Sequence, residues 1–401
     1  MRVGKAVRAL ITEIKGLILT FLFYLFRIFP LQNKIVATTF RGRKYGDNPQ
    51  FILDELRKIH PEWDYVWECD PKYSFSVPEG IRKINRYSTL RTIYEYSTAK
   101  VWINTHRLGC HMRKRKGQLF IETWHGGLGI KKIEGDVPKF KTDKYFMKQV
   151  KNTSDCADVY ISNSDHLTEL YRRAFCYHGP VWKCGYPKND ILFTDKTQMK
   201  NKIHEYYGLS HNTKILLYAP TFRDSLFENN IDLTVYNIDY KRLKETLADK
   251  FGGSWVVLVR MHPFLSKRKE LSDINETYTI NVTDYPDMQE LILSCDMFIS
   301  DYSSCIFDAA ITGIPCFTFA TDFEDYKSDR GVYYEMDELP FPYAKNNDEL
   351  MQNIENFNAD DYSAKWKAFA ERTGLHETGH AAKDIAEKII KFINGEKVIW
   401  E

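Results

Sequence analysis

Three clusters of residues have the types and spacing that phosphoryl chemistry needs. The first is Thr123-Trp124-His125-Gly126-Gly127-Leu128-Gly129-Ile130-Lys131-Lys132, directly after the apolar run Leu119-Phe120-Ile121. A histidine at a strand end, followed by glycines, stands where backbone can approach a ligand, and an imidazole accepts a proton from a hydroxyl near neutral pH. Lys131 and Lys132 could hold an anion or the acceptor beside it. A core histidine at a glycine turn, with two solvated lysines, is the competing reading. The second cluster is Arg260-Met261-His262-Pro263, which ends the run Trp255-Val256-Val257-Leu258-Val259. Residues two apart on a strand share a face, so Arg260 and His262 could point together at one phosphate; an exposed pair at a sheet edge would look the same. The third is Ile299-Ser300-Asp301-Tyr302-Ser303-Ser304-Cys305-Ile306-Phe307-Asp308, a strand that runs into a helix with two serines at the turn. Open backbone N–H groups, the helix dipole and two hydroxyls suit an anion, although plain helix capping by Ser303 or Ser304 uses the same residues. Arg223, in Ala219-Pro220-Thr221-Phe222-Arg223, offers another guanidinium at a strand end. Asp47, in Asp47-Asn48-Pro49, also follows a strand; it could take the proton, orient His125, or only cap its helix.

These positions need a scaffold, and the pattern supplies one. Ile35–Phe40, Tyr65–Cys69, Val101–Thr105, Leu119–Trp124, Val159–Ser162 and Val181–Cys184 read as buried strands, with helices beginning near Asp47, Ser88 and Asp165. The second half repeats the alternation. Its strands are Ile215–Tyr218, Trp255–Val259, Thr279–Val282, Met297–Ser300 and Cys316–Phe319, and its helices lie near 238–251, 287–295 and 304–312. Such alternation predicts two α/β domains with parallel sheets, and ligands at the carboxyl ends of the strands, in a cleft between them. The polar stretch around 194–213 marks a boundary, giving domains over 31–205 and 206–360, with helices in 361–401 packing back across both.

Residues 1–30 differ in kind. Arg2, Lys5, Arg8 and Lys15 face one acid, Glu13, and Val3, Val7, Leu10, Ile11, Ile14 and Ile18 recur at helical spacing. The apolar, aromatic run from Gly16 to Pro30 is broken by Thr20 and Arg27 and is short for a membrane span. The segment is expected to be an amphipathic helix on an anionic membrane surface. Packing on the protein's own core and a cleaved signal peptide are the alternatives.

The 401 residues are 43% hydrophobic, enough for two cores, and the net charge of +2 gives no support to nucleic-acid binding. The eight cysteines form no C-x-x-C pair and read as buried free thiols of a reducing compartment. Arg113-Lys114-Arg115-Lys116 is a charge run, either a solvated loop or a contact for anionic lipid or glycan. No phosphate-binding G-x-x-x-x-G-K-[ST] loop, G-x-G-x-x-G turn, G-x-S-x-G elbow, H-E-x-x-H or D-x-D occurs, so phosphate chemistry would run on Arg, Lys, His and helix dipoles, with no cofactor or metal expected.

Taken in order, Thr123-Trp124-His125-Gly126, Ala219-Pro220-Thr221-Phe222-Arg223, Arg260-Met261-His262-Pro263, Ser300-Asp301-Tyr302-Ser303-Ser304 and Arg330-Gly331-Val332-Tyr333 resemble the CDP-glycerol glycerophosphotransferase family of teichoic acid and capsule polymer synthesis. Tyr45-Gly46-Asp47-Asn48-Pro49 and Gly185-Tyr186-Pro187-Lys188-Asn189-Asp190 resemble two further family segments, and the likeness covers about residues 35–345. It implies a GT-B architecture of two Rossmann-like domains, peripheral attachment at the cytoplasmic face of a bacterial membrane, and metal-free transfer of glycerol phosphate from CDP-glycerol to a glycan or lipid-linked acceptor. His125 maps to the proposed base, His262 to the donor phosphate site, and Ser303 and Ser304 to the pyrophosphate site. Arg223, Arg260 and Asp308 belong with the donor. Gly127-Leu128-Gly129 stands where the family often has Thr-Pro, and Lys188 replaces an arginine. CDP-ribitol as donor, a UDP-sugar transferase on the same fold, and a glycan-binding protein with a vestigial site remain as alternatives.

Overall fold

A computed structural model describes residues 2–221, 223, 233–261 and 277–400. The chain divides into two compact units. One comprises residues 1–125, 134–190 and 376–401, and the other 126–133 and 191–375.

Unit 1 is built on a parallel sheet. Its strands are β1 (Gln32–Thr38), β2 (Asp64–Cys69), β3 (Ile81–Asn85), β4 (Ala99–Asn104), β5 (Leu119–Glu122), β6 (Val159–Ser162) and β7 (Val181–Lys183), in the order β3-β2-β1-β4-β5-β6-β7. Ile35, Val36, Ala37, Val101, Trp102, Ile103, Phe120 and Ile121 are buried, as expected of parallel strands covered on both faces. The helices of this unit are α1 (Arg2–Leu25), α2 (Asp47–Ile59), α3 (Thr89–Thr98), α4 (Pro138–Lys141), α5 (Lys144–Cys156) and α6 (Asp165–Ala174). The strand order reverses between β1 and β4, so the loops after β1, β4 and β5 gather at one edge. In doubly wound sheets that edge is the ligand-binding place.

Unit 2 repeats the plan. Its strands are β8 (Lys214–Tyr218), β9 (Trp255–Val259), β10 (Thr279–Asn281), β11 (Met297–Ser300), β12 (Cys316–Phe319) and β13 (Tyr343–Ala344), parallel and ordered β10-β9-β8-β11-β12-β13. Its described helices include α7 (Lys196–Tyr207), α8 (Tyr240–Phe251), α9 (Met288–Ser294), α10 (Cys305–Ile311), α11 (Phe323–Arg330), α12 (Asn347–Glu355) and α13 (Ala359–Thr373). The last helix, α14 (Ala381–Ile393), returns to unit 1 and packs on α2.

The structure draws the boundary differently from the sequence. The polar stretch near 194–213 is α7, whose Ile203 and His204 are buried in unit 2, so the change falls after Asp190 and not after residue 205. The carboxyl-terminal helices are divided: Tyr362 and Phe369 of α13 join the unit 2 core, whereas Ile385 and Ile389 of α14 are buried in unit 1. Residues 126–133 also change sides. Leu128 and Ile130 are buried in the unit 2 core, and Tyr333 N donates to Ile130 O at 2.7 Å.

Residues 2–25 are helical, but the helix does two things. Phe23 is 1% exposed and packs with Val36, Val66 and Trp102, flanked by Leu19, Leu22 and Phe26. Ile14, Leu17, Ile18, Phe21, Leu25 and Ile28 form an exposed stripe at helical spacing, with Leu17 71% and Phe21 66% exposed. No helix among the described residues is long and apolar enough to cross a membrane. The eight thiols are unpaired. Cys184, Cys295 and Cys316 are buried, but Cys176 is exposed, contrary to a uniform reading as buried thiols.

Candidate functional site

His125 ends unit 1's contribution to the first motif, at the carboxyl end of β5. Its Nδ1 lies 3.0 Å from the carbonyl oxygen of Thr105, on the loop after the neighbouring β4. A carbonyl only accepts, so Nδ1 carries the proton and the lone pair of a neutral ring is on Nε2. That is the tautomer a proton acceptor needs. Phe40 and Trp124 flank the ring, with centroids 5.5 and 4.1 Å away.

The backbone around this ring is strained. Phe40, Arg41, Asp47 and Trp124 all have positive φ, between 45° and 61°. Non-glycine residues hold such angles only where their surroundings impose them, and such positions gather at functional sites. Here the ties are visible. Trp124 N donates to Glu122 Oε1 at 3.0 Å, Thr123 N to Asn104 O at 2.7 Å, and Phe40 N to Thr105 Oγ1 at 3.2 Å. Asn48, buried at the start of α2, donates to Trp124 O at 3.3 Å and accepts from Lys188 N at 3.1 Å. It joins three motif segments, a role that the sequence does not mark, since its partners lie 76 and 140 residues away. Asp47 Oδ1 accepts from Asn48 N at 2.8 Å, in keeping with a helix-starting role. His106, Arg41 and Arg107 are further residues the sequence did not single out. Desolvation, then Arg107, Arg86 and Arg43, lower the Arg41 pKa, the sign of a cationic group at this edge.

In unit 2 the second and third motifs come from β9 and β11, on either side of β8, so their carboxyl ends lie on the same side of the sheet. Arg260 N donates to Tyr218 O, and its Nη1 donates to Tyr285 O at 2.8 Å. Burial pushes the Arg260 pKa down, with Asp287 acting against it. A guanidinium has five N–H groups, so these carbonyls do not exhaust it. His262 lies outside the described residues. Ser303 Oγ accepts from Cys305 Sγ at 3.0 Å, and Ser304 precedes α10 with no side-chain capping bond. Both serines are half-buried, at the start of that helix. Asp308 is buried one turn into α10 and accepts from Gln289 Nε2 at 3.1 Å, so it acts on the interior of the unit.

Arg223 differs from expectation. It is 5% exposed, and its Nη1 reaches Asp301 Oδ2 at 2.7 Å while Nε and Nη2 reach Asp322 at 2.7 and 2.9 Å. Burial alone would lower its pKa; Asp301 and Asp322 outweigh burial and raise it well above the ordinary value. The guanidinium is committed to carboxylates, and the structure casts it as a strut beneath the Ser300-Asp301-Tyr302 turn. By position in the chain, Lys131 and Lys132 fall within the first domain expected from the sequence. Lys131 instead bridges Val332 and Lys132 N donates to Gly331 O at 2.9 Å, which fixes both on unit 2 beside the Arg330-Gly331-Val332-Tyr333 motif.

Two parallel doubly wound sheets, with a strand-end histidine in one and an arginine and paired serines in the other, define a GT-B-like transferase. The chain belongs to the family described as CDP-Glycerol:Poly(glycerophosphate) glycerophosphotransferase, whose model matches residues 21–391. It is 32% identical over 371 residues to a teichoic acid poly(glycerol phosphate) polymerase of Staphylococcus epidermidis, covering 90% of this chain and 50% of that one. A polymerase of the same name from Bacillus spizizenii is 27% identical, covering 96% of this chain and 98% of the relative. Among solved structures, the wall teichoic acid polymerase TagF soaked with CDPG is 29% identical, with a TM-score of 0.80 over 98% of this chain and 99% of that one. The chain thus spans about half the length of some curated relatives and nearly all of another.

Proposed function

We propose that this protein transfers glycerol phosphate from CDP-glycerol to a hydroxyl of a lipid-linked or glycan acceptor, releasing CMP. The acceptor oxygen bonds to the β-phosphorus, the bond from that phosphorus to the CMP oxygen breaks, and the hydroxyl proton passes to Nε2 of His125. The observation that carries this reading is the His125–Thr105 hydrogen bond, which sets the ring in the accepting tautomer within a family defined by this transfer. The protein's share of such a reaction is alignment, proton acceptance and charge stabilisation. Arg260 and the Ser303–Ser304 turn are assigned to the donor's phosphates, with His262 as a fourth member. Arg223 is assigned to holding that turn.

The membrane surface belongs to the same proposal. The exposed stripe of α1, with the basic residues of its first half, suits insertion of one helix face among anionic lipids. A lipid-linked acceptor would be met there.

The test is single-turnover release of CMP from CDP-glycerol with a lipid-linked glycerol phosphate primer. His125→Ala should slow turnover by roughly 10²–10⁴-fold, the usual worth of a general base, while the donor affinity measured by titration stays near wild type. Wild-type turnover would remove His125 as the base. Equal turnover of CDP-ribitol or of a UDP-sugar would remove CDP-glycerol as the chosen donor.

A further inference from the structure

Behind the His125 loop, within unit 1, lies a small narrow cavity lined by His106, Arg107, Glu122, Trp124, Thr153 and Tyr160, among others. Three buried polar atoms in this wall have no hydrogen-bond partner: Glu122 Oε2, His106 Nδ1 and Arg107 Nε. Three further polar groups of the wall are engaged. Tyr160 Oη bonds Ser154, Thr153 Oγ1 donates to Gln149 O and accepts from Leu108 N, and Arg107 Nη1 pairs with Glu134 at 2.6 Å. The cavity gives about 10 Å³ to the centre of a water molecule. That is close to the least that holds one water, and a buried water needs two to four polar partners.

We propose that Glu122 is a positioning residue for His125. Its Oε1 accepts from Trp124 N and holds that residue at φ 52°, which sets the direction of the next side chain, His125. Its Oε2–H and Arg107 Nε–H donate to one water in the cavity, and that water donates to His106 Nδ1. Every orphan atom is then satisfied, and the loops after β4 and β5 are locked behind the imidazole that Thr105 orients in front. Glu122 is 1% exposed. Burial raises its pKa well above the carboxylate range; the hydrogen bond from Trp124 lowers it, Glu134 raises it, and Arg107 lowers it. His106 is likewise held neutral, by burial and then by Arg41, Arg86, His125 and Arg107. Tyr160, opposite Glu122 on β6, is kept protonated by burial. The Arg107 guanidinium pairs with Glu134, and a charge on Glu122 would meet that of Glu134. The acid form adds no negative charge behind the imidazole.

The proposal rests on His125 being the base, so the experiment separates the two. CMP release is measured for wild type, Glu122→Ala, Glu122→Gln, His125→Ala and the Glu122→Ala/His125→Ala double variant of the full chain, with the same primer. A loop shifted by about 1 Å can lower turnover by roughly 10²-fold, and Glu122→Ala is expected to do so in turnover rather than in donor affinity. Glu122→Gln, whose amide accepts from Trp124 and donates to the water, should recover most of that loss with an unshifted pH profile. In the His125→Ala background, Glu122→Ala should add no further loss, because Glu122 acts through His125. Wild-type turnover in Glu122→Ala beside a slow His125→Ala overturns the positioning role alone, as do multiplying losses in the double variant. Wild-type turnover in His125→Ala removes the base and this proposal with it. Should Glu122→Ala fail to fold, infrared spectra near neutral pH decide: a protonated-carboxyl stretch absent from Glu122→Gln supports the acid form, and its absence from wild type overturns it.

Discussion

Replacing Arg223 by alanine distinguishes a strut from a ligand. The guanidinium makes three charged hydrogen bonds of 2.7, 2.7 and 2.9 Å to Asp301 and Asp322, donates to Thr221 O at 2.7 Å, and lies over Tyr302 with its centre 4.6 Å from the ring. Asp301 is 1% exposed and the Asp322 side chain 15%, so the substitution leaves two carboxylates buried without their cation. Breaking a buried pair from one side usually costs about 3–5 kcal/mol. Asp301 keeps the Thr221 and Tyr302 N–H groups, and Asp322 keeps the Tyr302 hydroxyl, which favours the lower end. We therefore expect unit 2 to lose about 3 kcal/mol, read as a lower urea midpoint for the transition followed by tryptophan fluorescence. The triple change Arg223→Met, Asp301→Asn, Asp322→Asn should recover much of it, since no charge is then left unpaired. Urea is preferred to guanidinium, which would screen the pairs. An unchanged midpoint together with weakened CDP-glycerol binding would refute the reasoning, because Arg223 would then be reaching the donor.

Other outcomes follow from the same geometry. Arg260→Ala and the paired Ser303→Ala/Ser304→Ala change should each weaken CDP-glycerol binding or turnover, by about 1.5–3 kcal/mol for a lost charge-assisted contact; titration at wild-type affinity with wild-type turnover would remove the assignment. Deleting residues 1–30, or placing Glu at Leu17 and Phe21, should release the protein from anionic vesicles; sedimentation unchanged from wild type would count against α1 as the contact. Glu122 also gives a pH signature. Its folded pKa is raised, so the native state keeps a proton that the unfolded chain releases above about 4.3. Stability is then lost as pH rises from there towards the folded pKa, at about 1.4 kcal/mol per pH unit. Glu122→Gln lacks this term, so its stability advantage should grow with pH over that window; a pH-independent difference would contradict the acid form.

The sheets were legible because buried parallel strands are short, continuous apolar runs, as in Trp255-Val256-Val257-Leu258-Val259. Two edge strands were not. Ile81–Asn85 carries Arg82 and Lys83 and buries only Ile81 and Ile84, and Tyr343–Ala344 is too short to show a pattern. The motifs were legible as residues that follow the carboxyl ends of strands. What each side chain does there was not, because the deciding partners are distant in the chain. Arg223 looks like a ligand until Asp301 and Asp322, 78 and 99 residues on, are seen to hold it. Lys131 and Lys132 look like neighbours of His125 until pairing with Gly331 and Val332 places them in the other unit. The tautomer of His125 depends on Thr105, and the strain at Trp124 on Asn48 and Glu122. Apart from Glu122, two residues from Trp124, these partners are far off in the chain.

The double character of α1 has a consequence of scale. Phe23 fastens the helix to Val36 of β1 and Trp102 of β4, in the same sheet whose β5 ends at His125. If the opposite stripe lies on lipid, the height of that imidazole above the headgroups is set by the body of unit 1 and not by the slack of a tether. Such a protein works as a fixed gauge: an acceptor end is served when its own length from the bilayer brings a hydroxyl to that level, and one too short or too stiff is passed over.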